Sequence, residues 1–471
     1  MLLLPPALAE AFVVNVSYTE EDSDFALLLR DDGTVLTPEK TYARIYELTP
    51  DGTDEAERLY TVEPADPVTY VGDINWKDLD WYVYHREALM DANGHLVTGF
   101  DYYSLTWLAD GSIKCSVYDG SRLLSGAMDA SGQVLIETKY TDLQPLGDGR
   151  WVALSGDEDN GLYALILLDR DGAETTTGLH TEYAYLCENN SVPFLVEGVS
   201  EYDGKPVYLN GDGTVCVSGS FDDAGLFYGN CAVVNINGAS GLIDRAGQLA
   251  VPLEYDSIYH ADCGAQNIYI AKRGTELTIF DANAAEVLMR QDFPSTESLY
   301  ADFQGPGLLW IYTDSAYFCY RTDGTLLGTF PLGEYRYCSL ADSPVEAPRV
   351  IESSGQWPRE VSRLLDMSDN PVGDDYASLS EGLCRDGKGR YVACSCPLAV
   401  NEYGEETRDW SKARYGVIDE NGALIVPLIY TQYVQVLSAD RFWVMTGDGS
   451  GMIDAAGKWY YYYSDYNALI D

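Results

Sequence analysis

Short apolar runs punctuated by Gly, Asp and Asn follow one another along this chain. Leu242-Ile243 is followed by Asp244-Arg245-Ala246-Gly247 and then by Leu249-Ala250-Val251. Val417-Ile418 and Leu424-Ile425-Val426 flank Asp419-Glu420-Asn421-Gly422 in the same way. Asp-x-x-Gly between apolar runs is hairpin chemistry, because the carboxylate bonds nearby backbone groups and Gly supplies the positive φ of a tight turn. A further apolar run precedes each phrase, as in Cys231-Ala232-Val233-Val234, Trp151-Val152-Ala153-Leu154 and Phe442-Trp443-Val444-Met445. Aromatic and β-branched stretches follow it, at 255–259 and 430–436, and read as one more strand. The pattern therefore predicts four short strands in a unit of about 40 residues.

The unit repeats. Its closing glycines are Gly94, Gly132, Gly172, Gly213, Gly247, Gly324, Gly422 and Gly457, with Ala284 and Asp369 in two places where the spacing calls for one. An outlying copy closes at Gly33, which makes about eleven copies in all. Eight residues beyond the glycine stands an aromatic in five copies, Tyr102, Tyr140, Phe221, Tyr255 and Tyr430. Pro252 and Pro427 precede two of these tyrosines at the same offset. Four strands per unit match one propeller blade, so the expected architecture is all-β and propeller-like, one large ring or two joined, with an open β-solenoid as the alternative. The beat loosens over 333–410 and over 50–81, and either stretch is a candidate joint between two sub-arrays. The segment 361–366 reads as a short helix or a pre-turn strand, and its register favours the strand.

Composition narrows the function more than it specifies it. A hydrophobic content of 46% over 471 residues is ample for a packed array, which argues against disorder. Asp and Glu number 75 against 29 Lys and Arg, a formal charge of −46. Such a surface repels phosphate backbones, so nucleic acid is excluded as an expected partner. No run approaches the length of a membrane span, and no membrane insertion is expected. Residues 1–9 are apolar and end in Ala7-Leu8-Ala9, like the tail of a secretory signal whose basic start is missing. This divides the chain into a truncated leader at 1–9 and the repeat array at 10–471. The ten cysteines show no framework; Cys394 and Cys396, two apart, share one face of a strand.

Catalytic chemistry is sparse. The histidines His85, His95, His180 and His260 form no His-x-x-x-His pair, and His180 takes the repeat's aromatic place, where packing explains it. There is no nucleophile elbow, P-loop or dinucleotide fingerprint. The segment 157–161 falls short of a calcium loop because its glycine comes one place early and no bidentate Glu closes it. Asp-Gly-Thr at Asp32, Asp212 and Asp323 is similar to the Asp-box of sialidase-like propellers, but the flanking Ser and Trp are absent and shared hairpin physics accounts for it. No catalytic, cofactor or metal residue is assigned. The positions assigned are structural: Asp244, Asp419 and Asp454 with Gly247, Gly422 and Gly457 in turns, and Tyr255 and Tyr430 in packing.

The phrase Gly-apolar-Ile-Asp-x-x-Gly, followed by an apolar pair, Pro and Tyr, resembles the WG-repeat family of bacterial proteins. Residues 240–258 and 415–433 carry the resemblance at full length, and 450–457 carry its first half. The family's Trp is replaced by Ser240, Tyr415 and Ser450. The resemblance implies a β-repeat array without established catalytic residues, in a family whose bacterial members are often exported or on the cell surface. The expectation is a non-catalytic module, secreted or surface-bound, that binds a protein, peptide or glycan. The alternative is a carbohydrate-active hydrolase using acidic residues in a propeller pore.

Overall fold

The computed structural model describes residues 10–463, apart from 17–24, 51, 66–85, 147, 157–160, 171, 188–191, 219–220, 263–266, 284, 294–298, 304–306, 342–343, 345, 383–387 and 447–448. The leader expected at 1–9, His85, Ala284 and most of the 157–161 segment lie outside the described residues. Strands account for nearly all regular structure; the only helices among the described residues are two short 3-10 turns, Ser200–Tyr202 and Trp410–Lys412. The protein is all-β. The chain divides into two compact units, Met1–Leu253 and Glu254–Asp471.

In the first unit the strands form sheets of five, four, seven and four members. In the second they form five four-stranded sheets and one separate hairpin. The strand pairings described are antiparallel, and among the described strands chain neighbours are sheet neighbours except where that hairpin is inserted. A typical sheet is Cys231–Ile236 beside Ala239–Asp244 beside Leu249–Tyr255, with the two-residue strand Asp223–Ala224 at its start. This is the meander order of a propeller blade. The eleven expected turns are spread over nine sheets, because the five-stranded sheet carries those at Gly33 and Gly94 and the seven-stranded sheet those at Gly172 and Gly213. The seven-stranded sheet is two meanders joined by one residue pair, Thr181 with Val199.

Strand boundaries differ from the sequence expectation in one respect. Tyr255 and Tyr430 do not begin a third strand of their own sheet; they end the strands Leu249–Tyr255 and Leu424–Tyr430. The segments just beyond, Ser257–Asp262 and Gln435–Ser438, open the next sheets. The tyrosine ring is thus at the edge where one sheet hands over to the next. Segment 361–366 is the strand Val361–Leu365, as its register predicts.

Burial repeats with the sequence. Val134–Tyr140 and Leu249–Tyr255 carry the same burial pattern: only the third residue and the closing tyrosine are buried. Leu424–Tyr430 buries the same two positions. The buried clusters are small, and most are shared by two consecutive sheets. Tyr430 joins Val417 and Val426 of its own sheet to Phe442, Val444 and Ile453 of the following one. Tyr140 likewise sits with Ala127 and Ile136 on one side and Trp151, Ala153 and Leu168 on the other. A single meander cannot bury both of its faces, so apolar area is removed from water only when repeats stack.

Candidate functional site

The repeated turn is one piece of geometry copied many times. In the copy at Asp244 its carboxylate Oδ1 accepts N–H bonds from Ala246 at 2.9 Å and Gln248 at 2.8 Å. Its carbonyl accepts the N–H of Gly247, whose φ is +77°. Asp419 does the same with Asn421 and Ala423, and Gly422 has φ +74°. Asp454 accepts from Lys458, which together with further backbone donors holds its carboxyl below the ordinary range, and Gly457 has φ +78°. Each carboxylate satisfies donors of its own hairpin. The Asp-Gly-Thr copies behave alike, since Asp32, Asp212 and Asp323 each accept the N–H of the threonine two residues on. The eight assigned positions lie on three different sheets. Tyr255 is buried with its ring edge-on to Phe280 at 5.8 Å, and Tyr430 is buried in the cluster described above.

Where glycine is missing the turn survives by other means. Asp369 adopts φ +64°, a region that Asp tolerates better than most residues, and its carboxylate pairs with Arg336. At the copy expected to close on Ala284, the left-handed residue is Ala285, with φ +54°. Its N–H reaches back to the Asp281 carbonyl, one residue further than in the other turns.

A second glycine matters as much as the turn glycine. In Gly241 an added Cβ would lie 2.7 Å from the Val251 carbonyl oxygen of the adjacent strand. Gly416 and Gly451 face the carbonyls of Val426 and Tyr461 in the same manner, and Gly126 that of Ile136. The strand opposite bulges toward these glycines at Gly126 and Gly416, where the pairing register slips. The residue before each, Ser125, Ser240, Tyr415 or Ser450, stands four places ahead of the turn aspartate. That fixed offset is present in the sequence, although Ser125-Gly126 is followed by Met128 where the other three copies have isoleucine before the aspartate.

Among the described residues no histidine belongs to a metal-holding group. His180 does not pack as an aromatic; it is half-exposed and bonds Glu201 through Nδ1 at 2.8 Å. His260 pairs with Asn267 at 2.8 Å, and burial lowers its pKa. Among the described residues no three His, Cys, Asp or Glu side chains are grouped to hold a metal ion. An open depression of about 380 Å³ is lined by Asp148, Arg150, Asp169 and Arg170. Its charges close on one another, with Arg150 on Asp148 at 2.6 Å and Arg170 bonded to the Asp148 carbonyl at 2.9 Å. Cys115, Cys187, Cys216, Cys319, Cys338, Cys394 and Cys396 carry free thiols. Cys394 and Cys396 are both buried in one small cluster with Ala413.

Two places depart from the repeat and carry exposed or unusual side chains. The first is the junction in the seven-stranded sheet, where the pairing of Phe194–Val199 with Lys205–Leu209 slips between Val196 and Val199. The slip leaves Glu197 and Gly198 as a bulge, a feature that re-aims side chains. Glu197 is half-buried, and burial with the nearby Asp223 carboxylate raises its pKa. Tyr183 and Tyr185 stack beside it, centroids 5.4 Å apart and both exposed, with Tyr183 lying against Gly198. The Cys187 thiol is pushed up to about 12 by burial and by Glu197.

The second departure interrupts the sheet that ends at Tyr430. Between Arg390–Ser395 and Arg414–Asp419 the chain leaves to make a separate hairpin, Leu398–Val400 paired with Glu406–Arg408. Its tip uses the same turn chemistry with Asn in place of Asp: Asn401 Oδ1 accepts from Tyr403 and Glu405, and the Gly404 N–H bonds the Asn401 carbonyl. The hairpin is tied to the loop at 355–360 by a two-pronged Arg359–Glu406 ion pair at 2.6 and 2.7 Å. Arg408, itself buried, bonds the carbonyls of Cys396 and Glu360. Leu398, Val400, Tyr403 and Trp410 are all exposed, Val400 by 70% and Tyr403 by 80%.

Comparison with known proteins agrees with the repeat. No curated protein matches the sequence significantly. Among solved structures the chain is similar in fold to one described as a eukaryotic initiation factor, at 8% identity over 80% of this chain and 93% of that one, TM-score 0.41. It is also similar to the dihydro-heme d1 dehydrogenase NirN, at 12% identity over 79% and 74%, TM-score 0.31. The tricorn protease matches at 10% identity over 94% of this chain and 50% of that one, TM-score 0.27. Likeness at such identities concerns the fold alone. A family described as WG containing repeat matches residues 241–272 and 415–448, two of the places where the turn, the close-packed glycine and the closing tyrosine occur together. The chain carries WG-type repeats at these two places.

Proposed function

We propose that this protein is a non-catalytic, exported repeat scaffold that presents a binding surface for a protein, peptide or glycan. The observation that supports it best is the hairpin Leu398–Arg408. The repeated polar residues are consumed by their own turns, whereas this insertion displays Val400, Tyr403 and Trp410 to solvent. Divergent loops on a regular array are where binding residues concentrate. An exposed aromatic contributes large contact area at little entropic cost. The formal charge of −46 favours neutral or basic ligands over acidic ones.

The test is retention of ligands on the full chain from glycan and peptide arrays, repeated with Tyr403→Ala and Trp410→Ala. Ligands retained by the unaltered chain and lost by these variants support the reading. Retention unaffected by both variants removes the insertion from the account. Export rests on Ala7-Leu8-Ala9, and fractionation of the native cells tests it: a chain found in the cytosol overturns that part.

One observation favours the alternative, a carbohydrate-active hydrolase. Glu197 is a carboxyl held above its usual range, with the Asp223 carboxylate near and two exposed tyrosines alongside. A carboxyl of raised pKa with a second carboxylate near it is what glycoside hydrolysis uses. Turnover of nitrophenyl glycosides that disappears in Glu197→Gln would replace the scaffold reading by this one.

A further inference from the structure

The inserted hairpin has an open edge. Asn401 N–H bonds the Glu405 carbonyl and Asp409 N–H bonds the Pro397 carbonyl. The strand partners between them are Ala399 with Thr407, Val400 with Glu406 and Leu398 with Arg408. Alternation in an antiparallel pair makes Ala399 and Thr407 the bonded pair and turns the N–H and C=O of Leu398 and Val400 away from the hairpin. Leu398–Val400 has no second neighbouring strand among the described residues. Two donors and two acceptors therefore stand in a row, flanked by the exposed side chains of Leu398 and Val400. Proteins ordinarily blunt such an edge with Lys or Pro, and neither lies within these three residues, Pro397 standing just before them.

Charge defines what the edge suits. Next to it stand Glu402 and Glu405, neither in an ion pair among the described residues, and Tyr403 between them is exposed. The neighbouring cations are committed elsewhere, Arg359 to Glu406 and Lys412 to Asp409. An ammonium or guanidinium brought here meets uncompensated carboxylates and an open aromatic face.

We propose that the edge Leu398–Val400 receives an extended basic peptide as an added strand, its backbone bonding Leu398 and Val400 and its Lys or Arg side chains meeting Glu402, Glu405 and Tyr403. Strand addition takes its affinity from main-chain bonds and its specificity from alternate side chains. The inference rests on the binding reading above and names the ligand class and the place.

The test uses the full chain and a short, end-blocked, labelled peptide alternating lysine with valine. Val400→Pro removes an edge donor that makes no bond within the hairpin, and proline is tolerated on strand edges. The expected result is saturable binding, weakened about tenfold or more by Val400→Pro and preserved in Val400→Thr. Hydrogen exchange supplies a second readout: the Leu398 amide exchanges fast in the free protein and becomes protected by the peptide. Continued protection of the Asn401 amide in Val400→Pro shows that the hairpin itself is intact. If that protection is lost, peptides N-methylated on alternate residues replace the variant, and only the set facing the edge should fail to bind. Equal affinity of Val400→Pro, or of a peptide with glutamate in place of lysine, overturns the proposal. Leu398 protection that rises with protein concentration alone overturns it in favour of a second copy. A chitooligosaccharide that binds, loses affinity in Tyr403→Ala and ignores Val400→Pro overturns the peptide edge while leaving the scaffold reading standing.

Discussion

Alanine at Gly422 and at Gly457 makes a matched pair of perturbations within the second unit. Both glycines close the same turn at nearly the same φ, +74° and +78°, so both variants incur the left-handed cost of about 1 kcal/mol. Their surroundings differ. A Cβ at Gly457 would meet no heavy atom within 4 Å, whereas one at Gly422 would lie 2.7 Å from Gly373 Cα and 2.8 Å from both the Gly373 nitrogen and the Val372 carbonyl oxygen. Those atoms are backbone of the preceding sheet and cannot rotate aside, and overpacking of that kind adds about 1–3 kcal/mol. Gly457→Ala is therefore expected to cost about 1 kcal/mol and Gly422→Ala about 2–4 kcal/mol. Urea unfolding followed by Tyr and Trp fluorescence gives the comparison. Hydrogen exchange at the Leu424–Tyr430 and Trp459–Tyr463 strands localises each loss. Equal destabilisation by the two variants would refute the close approach of Gly422 to Gly373, and a neutral Gly457→Ala would refute the strained turn.

Gly247→Val should cost about 1 kcal/mol or more, from its positive φ and the Val217 methyls 3.0 and 3.1 Å from the added Cβ; unchanged thermal stability counts against it. Asp419→Ala strands the N–H groups of Asn421 and Ala423 and should destabilise by about 1 kcal/mol, with Asp419→Asn recovering most of it in the same urea assay. Glu197 has a folded pKa above its ordinary value, so its contribution to stability is greatest in acid and is lost as pH rises from the usual carboxylate range through the raised pKa. Glu197→Gln should thus melt higher than the unaltered chain at neutral pH and converge with it in acid; a gap independent of pH contradicts this. Burial pushes the Cys319 and Cys338 thiols up to about 12 and Cys115 to about 11, so alkylation at mildly alkaline pH should spare them until denaturant is added, as peptide mapping would show.

How much of this was legible in the chain depends on how far each interaction reaches along it. The turn at Asp244–Gly247 involves bonds to residues two and four places on, and it was readable from the spelling alone. The same holds for Val361–Leu365, whose place before a turn marked it as a strand. The role of Gly241 was only half readable, because the carbonyl it makes room for belongs to Val251 on the next strand. The spacing put Asp369 in a turn glycine's place, but the Arg336 that pairs with it there stands 33 residues away and left no mark nearby. His180 kept the aromatic's position but not its burial, because Glu201 was within reach.

Amino-acid order by itself determined the all-β repeat, its period, its turns and the aromatic position that recurs in five copies, because hairpins are set by bonds among near neighbours and by the two-residue alternation of buried side chains. Only the tertiary structure decided which apolar faces meet, where the chain divides, which sheet is bulged at Glu197 and which hairpin leaves the array with an unpaired edge. Those outcomes depend on groups brought together across long stretches of chain, as Arg359 and Glu406 are, and a repeat that spells every unit alike holds no local mark of the one that differs.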